Sequence, residues 1–201
     1  MSFDSSIKVT LLGDAGSGKS SIINQFISQS FKTSSPPTIG ASNQAKTIYY
    51  LNREYTFSIW DTAGQERYRS ISKMLYRDAK AVILVFDLTS SKSFQSLNSW
   101  YTSVQETSSK QVIIILAANK IDEENWEVDK KEVENYAKII NSPIFFISAK
   151  TGENVYFMFE KIAEILMGQW KFKNRSLDET GDKSSFLLSE TQLKVKKKKC
   201  C

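Results

Sequence analysis

Eight consecutive residues, Gly13-Asp14-Ala15-Gly16-Ser17-Gly18-Lys19-Ser20, follow the pattern G-x-x-x-x-G-K-S, and their types suit the holding of a polyphosphate. Such a ligand crowds negative charge into a small volume. Backbone N–H groups curled at the start of a helix meet that charge best, because the helix dipole adds to them. Gly13, Gly16 and Gly18 let the main chain take φ > 0 and approach phosphate oxygens closely. Lys19 adds a point charge for the β and γ phosphates, and the Ser20 hydroxyl is a hard oxygen suited to Mg²⁺.

Three further groups bear on the same chemistry. Asp61-Thr62-Ala63-Gly64-Gln65 offers a carboxylate for the Mg²⁺ shell, a glycine N–H for the γ-phosphate, and in Gln65 an amide that both donates and accepts and so can orient a water. In Asn119-Lys120-Ile121-Asp122 the last carboxylate can accept two hydrogen bonds from the N1–H and exocyclic amine of guanine, a pairing adenine does not supply. Ser148-Ala149-Lys150 is unremarkable alone; in this company it reads as a second wall for the base.

The elements that must position these groups follow from periodicity. Residues 6 to 12 alternate and then turn apolar, as a strand does, and residues 21 to 27 have helical spacing. Gln29 to Gly40 is polar and holds Pro36-Pro37, which makes it an extended loop. Residues 44 to 51 and 55 to 61 read as two strands of a hairpin turned at Asn52-Arg53-Glu54. A polar helical segment reaches Arg77, and apolar strands span 81 to 86, closed by Asp87, and 112 to 118. Between them residues 91 to 105 suit one helix, capped by Ser91 or Ser93, with Phe94, Leu97, Tyr101 and Val104 on one face. A helix over 129 to 140, a short strand over 144 to 147 and a helix over 155 to 166 complete the chain's periodic part. Strands alternating with helices predict a mostly parallel sheet covered on both faces, with ligands at the carboxyl ends of the strands. All the groups above fall at those ends.

Composition narrows the field. Residues 1 to 169 hold 18 Lys+Arg against 18 Asp+Glu, so the formal charge of +5 resides in residues 170 to 201. A neutral body argues against a nucleic-acid face. Histidine is absent, which removes the commonest general base and metal ligand. The cysteines are two, Cys200 and Cys201, so no disulfide framework is expected and a reducing compartment is. The N-terminal residues lack a signal-peptide apolar region, and no apolar run is long enough to span a bilayer.

Together these residues resemble the five guanine-nucleotide motifs of the Ras superfamily of small GTPases, most closely its Rab branch. The likeness rests on residues 13 to 21 through Ser21, Thr38-Ile39-Gly40, Trp60 to Glu66 with Arg67-Tyr68-Arg69-Ser70-Ile71, and the terminal Cys-Cys. It implies a three-layer phosphate-loop fold with a six-stranded, mostly parallel sheet, one antiparallel second strand and five helices. It further implies that Thr38 joins Mg²⁺ and meets the γ-phosphate, and that Gln65 positions the hydrolytic water. Phe31 would pack on the edge of the guanine, although a core anchor after the first helix is an equal reading. No arginine lies in the phosphate loop, so an activating protein is expected to supply transition-state charge in trans, and intrinsic turnover to be slow. Several positions depart from the family. Ala41-Ser42-Asn43 stands where valine, aspartate and phenylalanine are usual, Leu75-Tyr76 replaces an aromatic pair, and the partner-facing triad becomes Asn43, Trp60 and Leu75.

Pro36 and Pro37, just before Thr38, are expected to lower the entropy lost when the switch closes, each by roughly 0.4–1 kcal/mol. From residue 170 the pattern dissolves, and the sequence predicts a GTPase domain over 1 to 169 and a disordered tail over 170 to 201. Lys194 and Lys196 to Lys199 precede Cys200-Cys201. By the resemblance, each cysteine carries a geranylgeranyl group, two anchors where one binds only marginally. The lysines add about 1 kcal/mol each near an anionic leaflet. The expected protein is a monomer on the cytoplasmic face of endomembranes or the plasma membrane, with an escorted cytosolic pool. It cycles between GDP and GTP under an exchange factor, an activating protein, a GDP-dissociation-inhibitor type of escort and effectors in vesicle traffic. A nucleotide-stabilised scaffold with negligible turnover is the alternative.

Overall fold

The computed structural model describes residues 6–33, 38, 40–50, 52–62, 74–108 and 112–166, apart from the side chain of Arg53. The phosphate loop's flanks form as their patterns dictate: strand β1, Ser6–Leu12, then helix α1, Lys19–Ser28. Strands β2, Ala41–Tyr50, and β3, Arg53–Thr62, make the hairpin. Then come β4, Ala81–Asp87; the short helix α2, Ser91–Gln95; α3, Leu97–Thr107; β5, Ile113–Asn119; α4, Lys130–Ile139; β6, Ile144–Ile147; and α5, Val155–Leu166.

The six strands form one sheet in the order β2-β3-β1-β4-β5-β6. Only the β2–β3 pairing is antiparallel. Strand β4 is buried along its whole length, and its side chains alternate between the two faces. Ala81, Ile83 and Val85 join α1 and α5 in one core, while Val82, Leu84 and Phe86 join α3 and α4 in the other. In the first core Phe26 of α1 stacks on Phe159 of α5 with ring centroids 3.7 Å apart, and Phe57 of β3 meets both rings edge-on at 5.9 and 5.5 Å. Aromatic geometry of this kind adds about 0.5–1.5 kcal/mol per pair beyond burial.

Two expectations require correction. Residues 91 to 105 are not one helix. Ser96 lies between α2 and α3, and its hydroxyl bonds back to the Lys92 carbonyl at 3.1 Å, a local bond that competes with regular helix geometry. The cap of α2 is neither Ser91 nor Ser93 but Ser90, extended at φ −140° and accepting from the Ser93 N–H. The hairpin is also tighter than read. Tyr50 pairs with Arg53 and Tyr49 with Glu54, so the strands run through two of the three supposed turn residues. Asn52, at φ 59°, takes the left-handed conformation that asparagine tolerates. No helix among the described residues is long and apolar enough to cross a membrane. Of the segment leading to Arg77, residues 74–76 are described and helical. Pro36, Pro37 and the tail from 170 lie outside the described residues.

Candidate functional site

The phosphate loop crosses from β1 to α1 with glycine where nothing else fits. Gly13 has φ 145°, and a Cβ there would sit 2.0 Å from the Val85 carbonyl oxygen of β4. Gly18, at φ 96°, would place one 2.2 Å from the Asn119 amide nitrogen. Gly18 is also the N-cap of α1, and no side chain caps that helix. Its first-turn N–H groups therefore face an anion site without a built-in competitor. Lys19, 5% exposed, curls back so that its ammonium donates to the carbonyls of Gly13 and Asp14, each at 2.9 Å. Burial pushes its pKa down to about 8, against the pull of Asp61 and Asp14.

Next to it three oxygens converge. Ser20 Oγ donates to Asp61 Oδ2 at 2.5 Å and lies 2.9 Å from Thr38 Oγ1. Asp61, at the carboxyl end of β3, is buried, and its Oδ1 has no hydrogen-bond partner. Burial raises its carboxyl pKa, opposed by Ser20, Lys19 and Thr38. A buried carboxylate oxygen left without a partner is costly, and with two hydroxyls beside it the donor set is all hard oxygen, which fits Mg²⁺.

The loops after β5 and β6 make the other end. Asn119 ties three segments together: its Nδ2 donates to the Ser17 carbonyl at 2.9 Å, and its Oδ1 accepts from the Ala149 N–H at 3.0 Å. Asp122 Oδ1 accepts from Ser148 Oγ at 2.5 Å, while Lys150 Nζ lies 3.3 Å from Asp122 Oδ2 and 3.2 Å from Glu123. Partial burial would raise the Asp122 pKa, but the Ser148 hydroxyl, a backbone N–H and the Lys150 ammonium outweigh it, so the carboxyl titrates below its usual range. Asp122 is thereby kept as a pure acceptor.

A cavity of about 540 Å³ joins the two ends. Ala15, Gly16, Gly18, Lys19, Ser20, Ser21 and Thr38 line it at the loop; Phe31, Asn119, Lys120, Asp122, Ala149 and Lys150 line it at the other end. Phe31 is 38% exposed, so it is no core anchor and stands at the rim. Gly13, Asp14, Ser17, Asp61 and Ser148 are not part of this lining. Of the residues picked from sequence, Gly64, Gln65, Cys200 and Cys201 lie outside the described residues. Sequence reasoning passed over Lys32, Thr33, Thr62 and Glu123, which also line the cavity, and Trp100, whose indole N–H donates to Asp14 Oδ1 at 2.9 Å. Only the register of distant elements reveals the last. Of the altered triad, Asn43 is exposed and pairs with Trp60 across the hairpin.

A mostly parallel sheet with a glycine-rich phosphate loop after β1, and a cavity that runs from that loop to the loops after β5 and β6, defines a phosphate-loop nucleotide-binding protein. The Ras family model matches residues 8–167. Among similar proteins, Ras-related protein Rab-22A of Mus musculus is 39% identical over 158 residues, 78% of this chain and 81% of the relative. GTP-binding protein YPT53 of Saccharomyces cerevisiae is 41% identical over 79% of this chain and 75% of its own. Ras-related protein SEC4 of Candida albicans is 36% identical over 82% and 79%. The chain belongs to the Rab family of the Ras superfamily of small GTPases, GTP-hydrolysing proteins that bind GTP and GDP with Mg²⁺ and regulate vesicle traffic.

Proposed function

We propose that the protein works as a slow GTP/GDP switch, lipid-anchored through Cys200 and Cys201 to the cytoplasmic face of endomembranes or the plasma membrane. The observation that carries this reading is one cavity lined by Lys19, Ser20 and Thr38 at one end and by Asp122 and Lys150 at the other, with Asp61 bonded to Ser20 and Ser148 bonded to Asp122. The first set suits a polyphosphate and the second a guanine.

Asp122 reads the base by accepting from its N1–H and exocyclic amine. The loop N–H groups and Lys19 take the phosphates, Lys19 exchanging its carbonyl partners for phosphate oxygens. Ser20, Thr38 and Asp61 would hold Mg²⁺, which when bound offsets charge on the β and γ phosphates. Gln65 orients a water against the γ-phosphorus. As the water oxygen adds, the bond from phosphorus to the bridging oxygen breaks, its electron pair leaves on GDP, and the water's protons pass to phosphate and solvent. The loop carries no arginine, so an activating protein supplies the remaining positive charge. An exchange factor, a GDP-dissociation-inhibitor type of escort for the geranylgeranyl groups, and effectors complete the cycle.

Single-turnover hydrolysis of bound GTP by the full chain, compared with Gln65→Leu, tests the proposal. Slow phosphate release that the variant loses is expected. Equal rates would leave Gln65 idle and favour a scaffold that binds GTP without turning it over.

A further inference from the structure

Asp87, the last residue of β4, is 7% exposed and does not line the cavity. Its carboxylate is engaged on both oxygens. Oδ1 accepts from the Thr89 N–H at 2.8 Å and the Thr89 hydroxyl at 2.7 Å. Oδ2 lies 2.5 Å from the Lys120 ammonium. The Asp87 backbone is fixed as well, because its N–H donates to Ser93 Oγ at 3.0 Å and its register in the sheet sets it beside Asn119. The carboxylate is therefore placed by β4 and the turn after it, independently of Lys120.

Lys120 is placed less firmly. Its backbone is left-handed at φ 70°, and its side chain is 35% exposed while lining the cavity. A lysine stem is flexible and loses rotamer freedom when a ligand packs against it. A stem already held loses less, and that difference goes into affinity.

We propose that Asp87 is a positioning residue for guanine nucleotide binding: a carboxylate fixed at the end of β4 that holds the Lys120 ammonium, so that the aliphatic stem presents a ready-made wall to the nucleotide. The proposal rests on reading the cavity as a guanine-nucleotide site. Asp87 itself acts through Lys120 and does not touch the ligand.

The test is release of a fluorescent GDP analogue from the full chain, chased with excess GDP. Asp87→Asn keeps an oxygen for Thr89 but loses the charge, and release is expected to be about tenfold faster. Lys120→Met keeps an apolar stem without the ammonium. In that background, adding Asp87→Asn is expected to change the rate by less than about twofold, because the two substitutions remove one interaction. Release from Asp87→Asn as slow as from the unaltered protein would overturn the proposal. So would a full effect persisting in Lys120→Met, which would assign Asp87 to the Thr89 turn alone. If Asp87→Asn does not fold, Asp87→Ser carries the same cycle, its hydroxyl replacing the acceptor for Thr89. Failure of the unaltered protein to retain GDP would instead sink the reading of the cavity.

Discussion

Asp122 and Lys19 face the same problem from opposite signs: each is a charged group the fold partly buries and must keep ready for a ligand. For Asp122 the fold supplies Ser148, a backbone N–H and Lys150, and the carboxyl pKa falls. A carboxyl held below its unfolded pKa contributes stability that is present at neutral pH and is lost only as pH falls through the folded value. Guanine retention should therefore persist into the acid side of the usual carboxylate range. Ser148→Ala removes one of the groups that lower the pKa. GDP release measured against pH should then accelerate at a higher pH than in the unaltered protein, and an unmoved profile would deny Ser148 that role. Asn119 holds its neighbours by two bonds, so Asn119→Ala should leave the Ser17 carbonyl and Ala149 N–H without these partners. At about 1–3 kcal/mol for a buried group left unpaired, GDP release should rise by roughly tenfold to a hundredfold. The phosphate loop was legible in the sequence because glycine, lysine and serine at fixed spacing have few other uses. Asp87 and Trp100 were not, because what they touch depends on which strand and helix lie beside them.

At the scale of elements, the hairpin and the stacked phenylalanines carry the argument. Asn52 takes φ 59°, where a residue with Cβ and no local hydrogen-bonding side chain loses about 1–2 kcal/mol. Asn52→Ala should lower the midpoint of thermal unfolding and Asn52→Gly should not. Phe159→Ala opens the contact with Phe26 and Phe57 and should cost about 3–5 kcal/mol, read as a lowered denaturant midpoint with unchanged slope. The strands showed themselves by alternation or by unbroken apolar runs. The extent of the hairpin turn and the break at Ser96 did not, since register pairing and a serine's bond to the carbonyl one turn back have no signature in periodicity. Among the described residues the predicted order of elements therefore holds, and their joints differ.

For the whole molecule, charge and chain order divide the labour. The 18 basic and 18 acidic residues of 1 to 169 balance, while residues 170 to 201 carry the excess. Attraction to an anionic surface therefore belongs to the tail, and it should weaken as salt rises. With Cys200 and Cys201 both changed to Ser, the protein should move from the membrane pellet to the supernatant of a cell lysate, and persistent pelleting would contradict the two-anchor proposal. The central claim is that the cavity reads guanine. It is tested most directly by displacing a bound fluorescent GDP analogue with GTP, ATP or xanthosine triphosphate, for the unaltered chain and for Asp122→Asn. GTP should displace it from the unaltered chain and ATP should not. In Asp122→Asn, whose amide can donate as well as accept, GTP should weaken and xanthosine triphosphate, which carries an acceptor in place of the exocyclic amine, should gain. Displacement by ATP as effective as by GTP, or an unchanged preference in Asp122→Asn, would contradict it.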